Sequence, residues 1–458
     1  MSRIKIGLVA ALLLVMMQAF GQKSGGNTPA KADSVFHLSL QQCTEYALSN
    51  QPNVRNAKYE VAKATAKVRE IRGIGLPQIT GSISVSDYLQ IPTTLIPAQF
   101  FGGPAGTFEP LQFGTQYNAT GEIDASQILF DGSFLVGLEA AKTYKDYSVQ
   151  GLTYANTQAI SAVEKAYYQA LVSNWKLQMT IADVKRLKQL MDETEKMNEE
   201  GFTQRVDYDR IKVNYNNAKT LQTTMTKLLT LSYKSLKFQM GMPIADSIVL
   251  TDSLQNIHIN SDLSADTSFK PTNRIEYQLA QTNLWGSRLQ VRKDNYGYLP
   301  SVMLIGSVNR VNQGETTDFF NGSQPWYPTA IIGLRISIPI FDGLQKNYRV
   351  QEDKYTMQEN ELQLNTLKES ISLEIASSST NLANALADLE NQKENMVLAQ
   401  SVEHDTKIQY EAGTGSNLEV VDAETSLIEA ETNYYNSVYN ALIAKVDYEQ
   451  AKGTLLKK

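Results

Sequence analysis

The residues with the clearest chemical potential are two carboxylates, Glu419 and Asp422. Three positions apart, they share one side of any helix that carries them. Carboxylates held this close repel one another, retain protons and attract cations. Catalysis would ask for more. His37, His258 and His404 are scattered, and no Ser-His or Cys-His arrangement, zinc-binding helix motif or glycine-rich phosphate loop occurs in the chain. The other carboxylates lie mostly on periodic helical faces, where solvation accounts for them. The one cysteine, Cys43, excludes an intrachain disulfide framework and a multi-cysteine metal cage. It reads as a small buried residue near a helix start. The expectation is a chain that is not an enzyme, with no cofactor and no metal site.

Glu419 is positioned by a unit that occurs twice. Gly413 precedes it by six residues, as Gly201 precedes Asp207. Leu76-Pro77 returns as Leu299-Pro300, and Phe130-Asp131-Gly132 as Phe341-Asp342-Gly343. A fixed internal period marks a duplicated unit. Each unit reads helix, strand, loop, strand, very long helix, sharp turn, helix. Pro77 and Pro300 end a helix and open a strand. Asp131 and Asp342 stand where a strand gives way to a helix and can cap its free N–H groups. Gly201 and Gly413 fit the position just past a helix C-terminus, at tight turns. Neither Gly132 to Met197 nor Gly343 to Gly413 contains a proline. At 1.5 Å per residue such helices reach on the order of 100 Å. Ser148, Leu152, Ala155, Ala159, Ala162, Ala166 and Ala170 step by threes and fours, as do Ile371, Ile375, Ser378, Leu382, Leu386 and Leu389. That is a coiled-coil seam, so the helices must lie side by side.

Strands are expected near 77–90, 114–130, 299–309 and 329–341. In the first, Ile79, Gly81, Ile83 and Val85 alternate with Gln78, Thr80, Ser82 and Ser84, and the other three repeat the pattern. A period of two over about ten residues is the transmembrane β-strand pattern. The connecting segments carry Phe100, Phe101, Phe108 and Phe113, then Phe319, Phe320, Trp326 and Tyr327, aromatics that suit a membrane interface. Four strands neither fill a sandwich for so long a chain nor close a barrel. Open edges are forbidden in lipid, so the missing strands must come from other copies.

Further bounds come from the ends and the charge. Residues 1–21, with Arg3 and Lys5 before a short apolar core and Ala19-Phe20-Gly21 after it, read as a signal peptide. No later apolar run is long enough for a spanning helix. The net charge is −6 with no basic cluster, so nucleic acid is excluded as a partner. The expected division is a signal peptide (1–21), a first repeat (22–243), a linker rich in Asp, Ser, Asn and Thr (244–270) and a second repeat (271–458).

With Ala47-Leu48-Ser49-Asn50-Gln51-Pro52, the Leu-Pro and Phe-Asp-Gly junctions, and Tyr410 through Asp422, the chain resembles the TolC-type outer-membrane efflux proteins over nearly all of its mature length. The resemblance implies a mostly α fold with a transmembrane β-barrel. It is a homotrimer in which each protomer gives four strands to a twelve-stranded barrel and its helices form a coiled-coil periplasmic tunnel. It further implies residence in the outer membrane of a Gram-negative bacterium, in outer-membrane lipid, as a passive exit duct. The duct would dock to a periplasmic adaptor protein and an inner-membrane pump, for efflux or type I secretion. Glu419 and Asp422 match the acidic rings of a closed periplasmic entrance, Asp207 matches the acid of the first-repeat turn, and Tyr410 matches a tyrosine that latches it. Where the family pattern has a basic residue two positions after the glycine, this chain has Gly415; Arg205 or Arg210 would then supply the latch. The rival expectation is an exported coiled-coil adhesin or stalk on a small trimeric barrel.

Overall fold

The computed structural model describes residues 35–253, 270–319 and 324–457. The expected signal peptide and the centre of the linker lie outside them. The elements in chain order are β1 (Phe36–Leu38), α1 (Leu40–Asn50), α2 (Pro52–Ile74), β2 (Gln78–Asp87), β3 (Thr93–Pro97), β4 (Phe108–Gln112), β5 (Tyr117–Phe130), α3 (Gly132–Glu199) and α4 (Arg205–Met240). There follow β6 (Ile248–Leu250), α5 (Ile275–Tyr296), β7 (Ser301–Gly314), β8 (Tyr327–Ser337), α6 (Gln345–Glu411) and α7 (Asn417–Lys452).

The long helices α3 and α6 have 68 and 67 residues. Asp131 caps α3, its Oδ1 accepting from the Phe134 N–H at 2.8 Å. The second junction differs. Gly343 (φ +68°) and Leu344 (φ +66°) are successive left-handed residues, and α6 starts only at Gln345. Asp342 therefore stands two residues before the cap and reaches forward, its Oδ2 accepting from the Lys346 backbone N–H at 3.2 Å and lying 3.3 Å from Lys346 Nζ. A leucine at positive φ is strained and persists only where its surroundings enforce it.

Near the sheet α3 packs against α2 and α5; beyond mid-length it packs against α4 and α7. The helices α4 and α7, 36 residues each, run only half as far. Their ends meet other breaks. Gly241, after α4, lies against Asn50 and Gln51 between α1 and α2, and Gly453, after α7, lies against Asn273 and Arg274 before α5. The main apolar core sits at this level, with Cys43, Val163, Tyr167, Leu171, Leu236, Met240, Leu442 and Val446 fully or almost fully enclosed. Burial and the nearby Asp252 carboxylate push the Cys43 thiol up to about 12. Beside this core β1 and β6 form a parallel pair. Asp252 Oδ2 accepts from Tyr167 Oη at 2.7 Å and from the Leu40 N–H at 2.9 Å.

Four strands form one antiparallel sheet in the order β2-β5-β7-β8. Ladder pairing brings Ile83, Gly121, Arg310 and Pro328 into one row, and Gly81, Ile123, Val308 and Ala330 into the next. Because side chains alternate across a pleated strand, these rows share one face with Ile79, Ala125, Gly306, Ile332, Leu334 and Ile336. Thr80, Ser82, Thr120, Glu122, Asp124, Ser307, Asn309 and Thr329 fall on the opposite face; Met303, Ile305, Val311 and Ile331 interrupt it. β7 runs to Gly314, past its expected end near 309, because Arg310 to Gly314 keep pairing with β5 although the apolar alternation has lapsed. The segment between β2 and β5, expected as a loop, holds the hairpin β3–β4. Both sheet edges, β2 and β8, lack a partner among the described residues.

Candidate functional site: the paired helix tips

Far from the sheet, α3 turns into α4 and α6 into α7 through the same hydrogen-bond scheme. Met197 O accepts from the N–H groups of Phe202 (2.8 Å) and Thr203 (3.3 Å), as Gln409 O does from those of Thr414 (2.9 Å) and Gly415 (3.0 Å). Gly201 (φ +83°) and Gly413 (φ +75°) each follow a helix C-cap, where a Cβ would be strained. Gly415 is constrained differently: a Cβ there would lie 3.1 Å from Tyr410 N and 3.2 Å from Gln409 C.

The acid six residues after each glycine closes a capping box. Ser416 Oγ accepts from the Glu419 N–H at 3.2 Å, while Glu419 Oε2 accepts from the Ser416 N–H at 2.9 Å. In the first tip, Asp207 Oδ2 accepts from the Gln204 N–H at 3.3 Å. Two otherwise orphaned donors are satisfied reciprocally. Glu419→Ala should therefore loosen the start of α7 by about 1 kcal/mol, read as several-fold faster amide exchange over residues 416–420. Glu419→Gln, which can still accept the bond, should exchange like the parent.

Glu419 and Asp422 are exposed on one flank of α7, whose buried stripe is Val420, Ala423, Glu424 and Leu427. The basic residues of the first tip are engaged locally. Arg210 Nη1 lies 3.5 Å from Asp207 Oδ1; Arg205 Nε lies 3.3 Å from Asp209 Oδ1, its guanidinium 4.7 Å from the Tyr208 ring centre. Within one protomer neither arginine is paired with Glu419 or Asp422. Tyr410 joins the two tips. Its Oη is 4.0 Å from Met197 Sδ, and its ring packs on the cluster of Leu190, Met191, Tyr208, Ile211 and Val420.

Above the tips lies an ionic cluster that sequence reasoning missed. Arg186 Nε donates to both oxygens of Glu424, at 3.0 and 2.8 Å, and its Nη2 donates to Asp183 Oδ1 at 2.9 Å. Glu431 stands near enough to Asp183, and Glu403 near enough to Glu424, for each pair to influence the other's charge. Glu424 is 1% exposed, Asp183 5% and Glu431 7%. One guanidinium thus faces three buried acids. Burial raises Glu424 to about 7, against the pull of Arg186 and with help from Glu403. Burial, then Asp183, raises Glu431 to about 7. A signal existed: Glu424 and Glu431 continue the stripe of Val420 and Leu427, so acids stand at core positions of a heptad-like pattern.

Among the described residues no helix is long and apolar enough to cross a membrane, and no three His, Cys, Asp or Glu side chains group as metal ligands. The sequence model of the family described as outer membrane efflux protein matches residues 44–242 and 273–454. Outer membrane protein TolC of Escherichia coli is 25% identical over 433 residues, which cover 91% of this chain and 82% of that one. Among solved structures, the open state of the Neisseria gonorrhoeae MtrE outer membrane channel superposes with a TM-score of 0.71 at 16% identity, covering 94% of this chain and 95% of that one. The Campylobacter jejuni CmeC outer membrane channel gives 0.69 at 16% identity, covering 94% and 91%. A duplicated helix–strand unit, one four-stranded sheet with an apolar face, and the family match over both repeats lead to one conclusion: the chain belongs to the outer membrane efflux protein family, the TolC-type channels, and is an outer-membrane protein with a large periplasmic helical portion.

Proposed function

We propose that three copies assemble into a passive exit duct, each giving its four strands to a twelve-stranded barrel and its helices to a periplasmic tunnel. The observation that carries this reading is what one copy leaves uncovered. α3 buries side chains from Gly132 to Thr194, whereas α6, nearly as long, buries only Val350, Ile371, Ser378 and Leu382. Leu362, Leu373, Leu398 and Ile408 on α6 stand exposed, as do Val213, Leu231 and Phe238 on α4. The repeat supplies the remedy: α3 packs on α7 within one copy, so α6 would pack on α4 of the next. The open edges β2 and β8 would pair in the same step, as lipid requires. The stalk reading fits less well, because the strand pairs of both repeats join in one sheet through β5–β7.

The duct would dock to a periplasmic adaptor and through it to an inner-membrane pump, and would be gated at the helix tips. Threefold symmetry turns Glu419 and Asp422 into two stacked rings of carboxylates that attract cations. Tyr410 would latch the tips from within each copy, and Arg205 or Arg210 would pair across copies. The purified protein in a planar bilayer should conduct with cation selectivity and be blocked by multivalent cations. Glu419→Ala with Asp422→Ala should weaken both properties and leave assembly intact. Block and selectivity equal to the parent's would place the acids outside the constriction, and a bilayer without conductance would refute the duct.

A further inference from the structure

The apolar sheet face carries one feature that a uniform hydrocarbon contact does not need. Between Ile83, Ile123 and Val308 runs an open trough of about 760 Å³, floored where Gly81 and Gly121 lack side chains and bounded at one end by Arg310 and Trp326. A Cβ on Gly121 would meet nothing within 4 Å, so the hollow is not required by backbone packing. In its row Arg310 is flanked by Gly121 and Pro328, neither of which offers a side-chain acceptor. Among the described residues the Arg310 guanidinium has no ion pair or hydrogen bond. The acids Glu122 and Asp124 occupy the opposite face; the nearest acid on this one, Asp87, is at the loop end of the sheet.

Depth along the strands gives the guanidinium its meaning. Exposed apolar residues on this side of β8 and just beyond it run Ile332, Leu334, Ile336, Ile338 and Ile340. From Ala330 to Ile340 that is the ~9–11 residues a tilted strand needs to cross the hydrocarbon layer. Arg310 lies one row past Ala330 on the loop side, level with Pro328 and beside Trp326, whose Nε1 donates to Phe319 O at 3.2 Å. Tryptophan and arginine at this level mark the headgroup boundary, and an arginine deeper in the band would be costly. A planar guanidinium without a partner matches a phosphate, which it can bind through two parallel hydrogen bonds.

We propose that this trough is a binding site for an anionic, phosphate-bearing lipid of the loop-side leaflet: Arg310 holds the phosphate and an acyl chain lies over Gly121 and Gly81. The assignment rests on the reading that the apolar face meets lipid, and the test separates the two. The full chain, with Trp175→Phe and Trp285→Phe so that Trp326 alone emits, is reconstituted in vesicles containing brominated phosphatidylcholine or brominated phosphatidylglycerol. Quenching by the phosphatidylcholine reports that the face meets lipid at all; its absence overturns that reading and the site with it. If the face meets lipid, phosphatidylglycerol should be preferred about fivefold, the effect of one basic residue at a lipid surface. Arg310→Gln should abolish the preference and Arg310→Lys should keep most of it. Gly121→Leu, which fills the trough but leaves the charge, should reduce it. Equal quenching by both lipids in the parent, or a preference untouched by Arg310→Gln, overturns the site. Loss of the preference in 20 mM inorganic phosphate, used as a competing probe, would reassign it to the free ion.

Discussion

Replacing Arg186 by methionine is expected to cost the α3–α7 seam on the order of 3–5 kcal/mol at pH 8, the penalty for stripping buried carboxylates of their only cation. Urea denaturation of the purified protein, followed by helical circular dichroism, would read it. The same substitution should be milder at pH 5.5, and the sign follows from the raised carboxyls. Glu424 and Glu431 titrate near 7 in the folded chain against an ordinary 4.5, so folding takes up protons between those values. The stability they contribute is full below about 4.5 and is lost as the pH rises through 7. Without the arginine, protonation is the remaining way to quiet the charges. Equal losses at pH 5.5 and pH 8 would mean that Arg186 acts through its packing alone.

The second large effect concerns the sheet. Leu334→Arg places a charge near the middle of the apolar band and should destabilise the membrane-inserted form by about 2–4 kcal/mol. Ser307→Arg, on the opposite face and paired in the ladder with Asp124, should insert like the parent. Urea-dependent folding into lipid vesicles distinguishes them. If Ser307→Arg is the worse, the assignment of faces is inverted; if the two behave alike, neither face is distinguished by lipid.

What the sequence disclosed was local or periodic. Pro77 and Pro300 announce strands by fixing their own backbone, Asp131 announces a helix by capping it, and the alternation through Ile79 to Val85 persists because one face avoids water. What it concealed depends on distant residues. Phe36–Leu38 becomes a strand only because Ile248–Leu250 lies beside it, more than 200 positions later. Asp342 has the same neighbours in sequence as Asp131, yet two left-handed residues displace the helix start beyond it. Arg186, Glu424 and Glu431 look like members of solvated helix faces until α3 and α7 are laid together. At the tips, the glycine-to-acid spacing is visible in the chain, and the capping boxes give it a physical cause. The rings proposed for those acids would arise only on assembly, which no local pattern encodes.

The level at which α4 and α7 stop has a mechanical consequence. There the short helices end against the breaks between α1 and α2 and before α5, whereas α3 and α6 pass through without interruption. A bundle built this way is a pair of continuous struts with hinged splints. Displacing a tip turn swings α4 or α7 about its own end, where a few loop dihedrals absorb the rotation. The struts meanwhile carry axial load to the sheet with little change in length. In the proposed duct, the aperture at the tips would then vary while the barrel wall kept its circumference.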